Sequence, residues 1–222
     1  MDHDSDDEAR PQYASLHRSI HGSDPDYDSP GVASHPVAWS EIARWRKAER
    51  ARLIEARLAI SADARAAMAR SIAANLDAII GDIAGRTVSL YWPFRGEPDL
   101  RPWMASVAAR GGTPALPLVI EKAHPLIFRA YRPGDRLEKG VWNIPVPAEG
   151  DPVIPDIVIA PLVGADPRNY RLGYGGGFFD RTLASLPKKP LVIGVGYEMQ
   201  HIPTIHPQPH DVPMDRIVLA GN

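Results

Sequence analysis

Two unbroken apolar runs constrain the fold of this chain more than any other feature: "DIVIAPL" at 156–162 and "PLVIGVGY" at 190–197, with the helical pattern "RTLASL" between them. A strand with one wet face alternates apolar and polar residues, and these runs do not, so both of their faces must be covered. Strands joined through a helix run parallel, and helices are what cover parallel sheets. The expectation is a single three-layer α/β/α domain around a largely parallel sheet.

The remaining elements fit that plan. From Trp39, residues Ile42, Trp45, Glu49, Leu53, Ala56 and Ile60 recur at helical spacing, with Arg46, Arg50 and Arg57 as a basic stripe on a neighbouring face. Ser61 suits the cap of a second helix over 62–80, whose buried face is Met68, Ile72, Leu76, Ile79 and Ile80, and Gly81 suits its end. "RTVSLYW" alternates as a strand. Asp99 is placed to cap "LRPWMASVAAR", which Gly111 and Gly112 end, and "TPALPLVI", "LIFRAY" and "DRIVLA" read as further strands. Clustered prolines in "YWPFRGEPDLRPW", "WNIPVP" and "HIPTIHPQPHDVPMD" make rigid connectors.

Residues 1–38 carry eight acids against two arginines among Ser, Pro, Gly and His, the composition of a disordered acidic tail, which leaves a mildly basic domain over 39–222. The formal net charge of -2 gives no global field favouring nucleic acid or an anionic membrane. There is no cysteine, so disulfides, thiolate metal sites and cysteine nucleophiles are excluded. No apolar run reaches the length of a membrane span and the first residues lack a signal-peptide pattern, so the expected location is the cytoplasm.

Chemistry concentrates in "RLGYGGGFFDRTLA", Arg171–Ala184, where four glycines fall within five residues before a helix. Such a stretch offers free backbone N–H groups and the positive end of a helix dipole, which together suit phosphate. It lacks the Gly-Lys-Ser/Thr of a P-loop, and Phe178 stands where a dinucleotide fingerprint needs its third glycine. The glycines alone leave a tight structural turn equally open. Arg171 on one flank and Asp180 in the first helical turn tilt the reading toward nucleotide phosphate with a metal ion.

This stretch resembles the signature of the 5-formyltetrahydrofolate cyclo-ligase family, also called methenyltetrahydrofolate synthetases, in its bacterial form. "GEPDL", "WNIPVP", "DIVIAPLVGAD" and "HDVPMD" agree in order and spacing. The resemblance implies closure of 5-formyltetrahydrofolate to 5,10-methenyltetrahydrofolate using ATP and Mg2+, with the formyl oxygen taking the γ-phosphate before N10 attacks. It implies that Arg171, Leu172, Gly173, Tyr174, Gly175, Gly176, Gly177, Phe178 and Phe179 form the ATP loop, with Arg46 and Arg50 reaching ATP from the first helix. Phe94, Glu97, Asp99, Tyr174, Gly176 and Phe178 fall at folate positions, one of the two acids meeting the pterin, and Asp180 and Asp211 fall at the magnesium positions. Trp142 and Pro145 are candidates for the folate pocket or for core packing.

Two departures from the family pattern, Arg46 for lysine and Leu100 for threonine, keep a non-catalytic folate- or nucleotide-binding protein of the same fold as the alternative. A sugar-phosphate isomerase or acyl-CoA transferase would need an acid and lysine arrangement that is not found. His201, His206 and His210 lack the spacing of a metal site, and Asp166 and Asp215 suit local turns. The expected partners are reduced folate and ATP, with no nucleic acid or membrane, on a monomer.

Overall fold

A computed structural model describes residues 38–221. Apart from Ala38, the expected acidic tail lies outside the described residues. Helix α1 spans Trp39–Leu58 and α2 spans Ala62–Ile80. Ser61 caps α2 by accepting the Ala64 N–H at 3.2 Å, and Gly81 ends it at φ +67°, a conformation glycine adopts without strain. Met68, Ile72, Leu76 and Ile80 are buried as the periodicity requires. Ile79 is not: it is 40% exposed, because it sits a full 100° around the helix from Ile80.

Strand β1 is Thr87–Ser89, α3 is Arg101–Ala109, β2 is Thr113–Leu118, β3 is Ile127–Ala130, β4 is Leu137–Lys139 and β5 is Pro145–Pro147. They are followed by β6 at Pro152–Val153, β7 at Ile157–Pro161, β8 at Gly164–Ala165, β9 at Arg171–Leu172, α4 at Phe178–Ser185, β10 at Leu191–Tyr197 and β11 at Arg216–Ala220. Among the described residues a seven-stranded sheet runs in the order β11-β10-β7-β1-β2-β3-β6. The first five strands in that order are parallel, and β3 and β6 add an antiparallel margin. The short pairs β4–β5 and β8–β9 stand apart from it as separate hairpins.

The two apolar runs lie side by side at the centre, Val158 opposite Val192 and Ala160 opposite Gly194. Their alternate residues feed different cores. Ile157, Ile159, Ile193 and Val195 join Ile72, Leu76, Trp103 and Met104 from α2 and α3. Val158, Ala160 and Val192 turn the other way, against Phe179 and Leu183 of α4. A third cluster joins Leu53 of α1 to Val163, Leu172, Ile202 and Ile205, which fixes α1 against the loops that follow β7 and β10.

One capping assignment moves. The first helical hydrogen bond of α3 runs from Met104 N–H to Leu100 O, so Leu100 rather than Asp99 occupies the cap position. Asp99 accepts the Arg101 N–H at 3.1 Å and pairs with its guanidinium at 2.6 Å, because Pro102 has no N–H to offer a side chain at the cap itself.

Candidate active site

A cavity of about 370 Å³ opens beyond the carboxyl ends of β1, β2 and β7, where ligands bind in open α/β sheets. Helix α1 runs along it. Arg46 and Arg57 belong to the buried face of α1 together with Ile42 and Leu53, so the expected basic stripe is the inward face and not a neighbouring one. Trp45, Glu49 and Ala56 are half-buried. The reason is that this face meets loops rather than a sheet, and loop carbonyls satisfy guanidinium groups.

Each arginine holds a different loop. Arg46 donates Nε to Ile205 O and Nη2 to His206 O, both at 2.9 Å, and pairs with Asp211 at 2.5 Å. Arg50 donates Nε to Gly173 O at 2.7 Å. Arg57, fully buried, donates to Arg95 O at 2.9 Å, Leu162 O at 3.1 Å and the Tyr174 hydroxyl at 2.6 Å.

The glycine loop runs from β9 into α4. Gly175 has φ +97°, and a Cβ there would sit 3.3 Å from the Arg50 guanidinium carbon; Gly177, in the left-handed region at φ +63°, opens α4. These conformations let the main chain pass beside the arginines. The side chain of Leu172 is buried in the cluster around Leu53, while Phe178 and Phe179 border the cavity. Arg171 pairs with Asp180 at 3.2 Å and lies over the Phe179 ring at 4.8 Å. Its Nε is buried without a hydrogen-bond partner among the described residues.

Asp180 and Asp211 come from distant segments and meet here: Asp180 Oδ1 accepts the Val212 N–H at 3.2 Å. Burial alone would raise the Asp211 carboxyl, but the Arg46 guanidinium and the Gln208 N–H hold it below the usual carboxylate range. Burial lowers Arg171 against the pull of Asp180 and Asp211, and lowers Arg50 with the help of the Arg46 charge. Three guanidiniums beside two carboxylates leave this end net positive, so an anion entering it is favoured.

The other end is different in character. Glu97 is 5% exposed and accepts the Phe94 N–H at 2.8 Å and the Tyr174 hydroxyl at 3.0 Å. Burial pushes its carboxyl up to about 7, against the opposing Arg57 charge and these two donors. The Tyr174 hydroxyl is also pushed up, first by burial and then by the Glu97 charge. Of the two acids in the 97–99 turn, only Glu97 lines the cavity. Asp99 pairs with Arg101 and does not line it. Phe94 packs against Tyr174 with ring centroids 5.9 Å apart, and Trp142, 56% exposed and at φ +57°, meets Phe178 edge-on at 6.3 Å. Both Trp142 and Pro145 line the cavity.

Asp166 does serve turns, accepting from the Arg168, Tyr170 and Ile205 N–H groups, and Asp215 accepts from Val192 N–H. Among the described residues no three His, Asp or Glu side chains gather as a metal site. His206 instead packs on Trp45 and His210 on Trp39. Sequence reasoning did not assign Arg57, Trp39 or His210 to the site. For Arg57 a signal existed, since it shares a helix row with Arg46.

Residues 42–220 match the model of the 5-formyltetrahydrofolate cyclo-ligase family. The chain is 29% identical to the 5-formyltetrahydrofolate cyclo-ligase of Haemophilus influenzae, over 61% of this chain and 76% of that one. It is 33% identical to that of Mycolicibacterium smegmatis, over 61% and 74%. The fold is similar to that of the 5,10-methenyltetrahydrofolate synthetase of Aquifex aeolicus, with TM-score 0.69 and 28% identity over 80% of this chain and 90% of that one. It is also similar to the Mycoplasma pneumoniae synthetase, with TM-score 0.64 and 25% identity over 78% and 96%.

Proposed function

The chain belongs to the 5-formyltetrahydrofolate cyclo-ligase family, ligases that convert 5-formyltetrahydrofolate to 5,10-methenyltetrahydrofolate with ATP hydrolysis, and we propose that it divides its cavity between the two substrates at the glycine loop. The observation that carries this division is a pair of adjacent residues. Gly173 is held through its carbonyl by Arg50 at the cationic end, and Tyr174 through its hydroxyl by Arg57 and Glu97 at the other. One stretch of backbone therefore borders both substrates.

The triphosphate lies along Arg46, Arg50 and the loop. The pterin lies between Phe94 and Trp142, its amino and ring N–H edge toward Glu97. Arg57 fixes Tyr174 and opposes the Glu97 charge, so the acid keeps its orientation without bulk water. Asp180 and Asp211 fit magnesium: both are hard oxygen donors, both border the cavity, and the Val212 N–H ties one segment to the other. A magnesium ion held there supplies charge neutralisation on the triphosphate.

The formamide carbon is a poor electrophile because its nitrogen donates into it. Transfer of the γ-phosphoryl group to the formyl oxygen breaks the bond to ADP and gives that oxygen a leaving group. N10 then attacks the carbon, loses its proton, and phosphate departs. This protein's contribution is alignment and charge, with no covalent step on a side chain. Purified protein given 5-formyltetrahydrofolate, ATP and Mg2+ is expected to develop the near-ultraviolet band of the methenyl product. Bound folate and ATP with no band and no ADP release refutes turnover and leaves a binding protein of the same fold.

A further inference from the structure

The cavity extends to the N-terminal end of α1. Trp39, the first residue of α1, lines it there with Ala43 and His210. Trp39 is 53% exposed although it is a large aromatic, and the His210 side chain is 66% exposed. Their rings stand at 85° with centroids 5.9 Å apart, making a right-angled aromatic corner. The Arg46 guanidinium lies over the Trp39 ring at 5.9 Å, so the corner adjoins a side chain placed at the triphosphate.

Helix α1 acts as a ruler for the whole site. Arg57 touches Tyr174 at the folate end, Arg50 touches Gly173, and Arg46 touches Asp211. At ~1.5 Å per residue, Trp39 lies about 16 Å further along the axis than Arg50, on the side away from Arg57. A nucleotide whose γ-phosphate points toward the folate must direct its base the opposite way, toward Trp39.

We propose that Trp39 and His210 form the base subsite of this enzyme, a stacking corner that seats the purine of the nucleotide. The inference rests on the cavity being an ATP site and adds which residues hold the base. The exposed half of the Trp39 surface is then what the base contacts. The corner offers ring faces, so it favours a purine over a pyrimidine by ring area, with little discrimination between adenine and guanine.

Calorimetry with ATP, GTP, CTP and inorganic tripolyphosphate, on the full chain with Mg2+, tests this. Wild-type protein is expected to bind ATP and GTP more tightly than CTP, and tripolyphosphate weakest. Trp39→Ala is expected to weaken ATP roughly tenfold, the loss of one aromatic stacking partner, and to leave tripolyphosphate unchanged. Trp39→Tyr should restore most of the ATP affinity, and an unchanged melting temperature for both variants excludes a folding effect. Unaltered ATP affinity in Trp39→Ala overturns the subsite, as does an equal loss for ATP and tripolyphosphate, which would place the effect at Arg46. Wild-type protein that binds neither ATP nor GTP overturns the ATP reading, and the subsite with it.

Discussion

Replacing Glu97 by glutamine tests the electrostatics of the folate end. Glu97 is 5% exposed and its carboxyl rises from 4.5 to about 7, burial outweighing Arg57, the Phe94 N–H and the Tyr174 hydroxyl. The unfolded chain releases this proton near pH 4.5 and the folded protein holds it until about 7. Folding stability contributed by the proton is therefore complete below 4.5 and is lost as pH rises through 7. A glutamine has no proton to lose and still accepts from Phe94 N–H. The stability difference between Glu97→Gln and wild type should then move by about 2–3 kcal/mol in favour of the variant between pH 5 and pH 8, at ~1.36 kcal/mol per unit of pKa. All other titrations cancel in that difference. Urea unfolding of both proteins at several pH values measures it, and with a slope of about 2 kcal/mol per molar the midpoints should diverge by about 1 M. A difference that stays constant with pH refutes the argument, since it would mean the carboxyl is ionised in the fold throughout. Turnover of Glu97→Gln should fall at pH 8, chiefly through KM for the folate, because the amide cannot present a charge to the pterin edge.

The two aspartates should be tested with isosteric variants as well as alanine. Asp211→Ala strands the buried Arg46 guanidinium and should cost about 3 kcal/mol of stability as well as turnover, whereas Asp211→Asn should keep most of the melting temperature and lose the magnesium dependence of the rate. Gly175→Ala forces a side chain into φ +97° beside Arg50 and is expected to destabilise by about 1–2 kcal/mol and raise KM for ATP; normal values in both assays would show that the loop is not held as described. Arg57→Lys should lower both melting temperature and kcat, by losing the bond to Tyr174 together with at least one carbonyl contact, and a variant with intact kinetics would remove Arg57 from the support of the site.

Helices α1, α2 and α3, the central strands β7 and β10, the edge strand β11 and the glycine loop were legible in the chain because each depends on local pattern: period, cap, or unbroken apolar run. The antiparallel strand β6 and the hairpins β4–β5 and β8–β9 were not, since these two- and three-residue strands, unlike β1 within "RTVSLYW", lie in no longer alternating run that would show a period. The same division runs through the site. "RLGYGGGFFD" and "HDVPMD" bring their own chemistry in sequence, and the structure draws them to one cavity. Which acid of the 97–99 turn faces that cavity depends on Arg101 claiming Asp99.

Arginine burial shows the limit most plainly. Spacing put Arg46, Arg50 and Arg57 on one side of α1, and by itself could not say what covers that side. Helical period records direction, not partner. The partners are Ile205 and His206 for Arg46, Gly173 for Arg50, and Arg95, Leu162 and Tyr174 for Arg57, all from loops distant in sequence. The sequence by itself determined a doubly covered parallel sheet and a phosphate-suited loop, because those follow from local polarity and backbone freedom. Only the tertiary structure decided that three arginines face inward along one helix, because a buried charge is tolerated only where long-range folding delivers its acceptors.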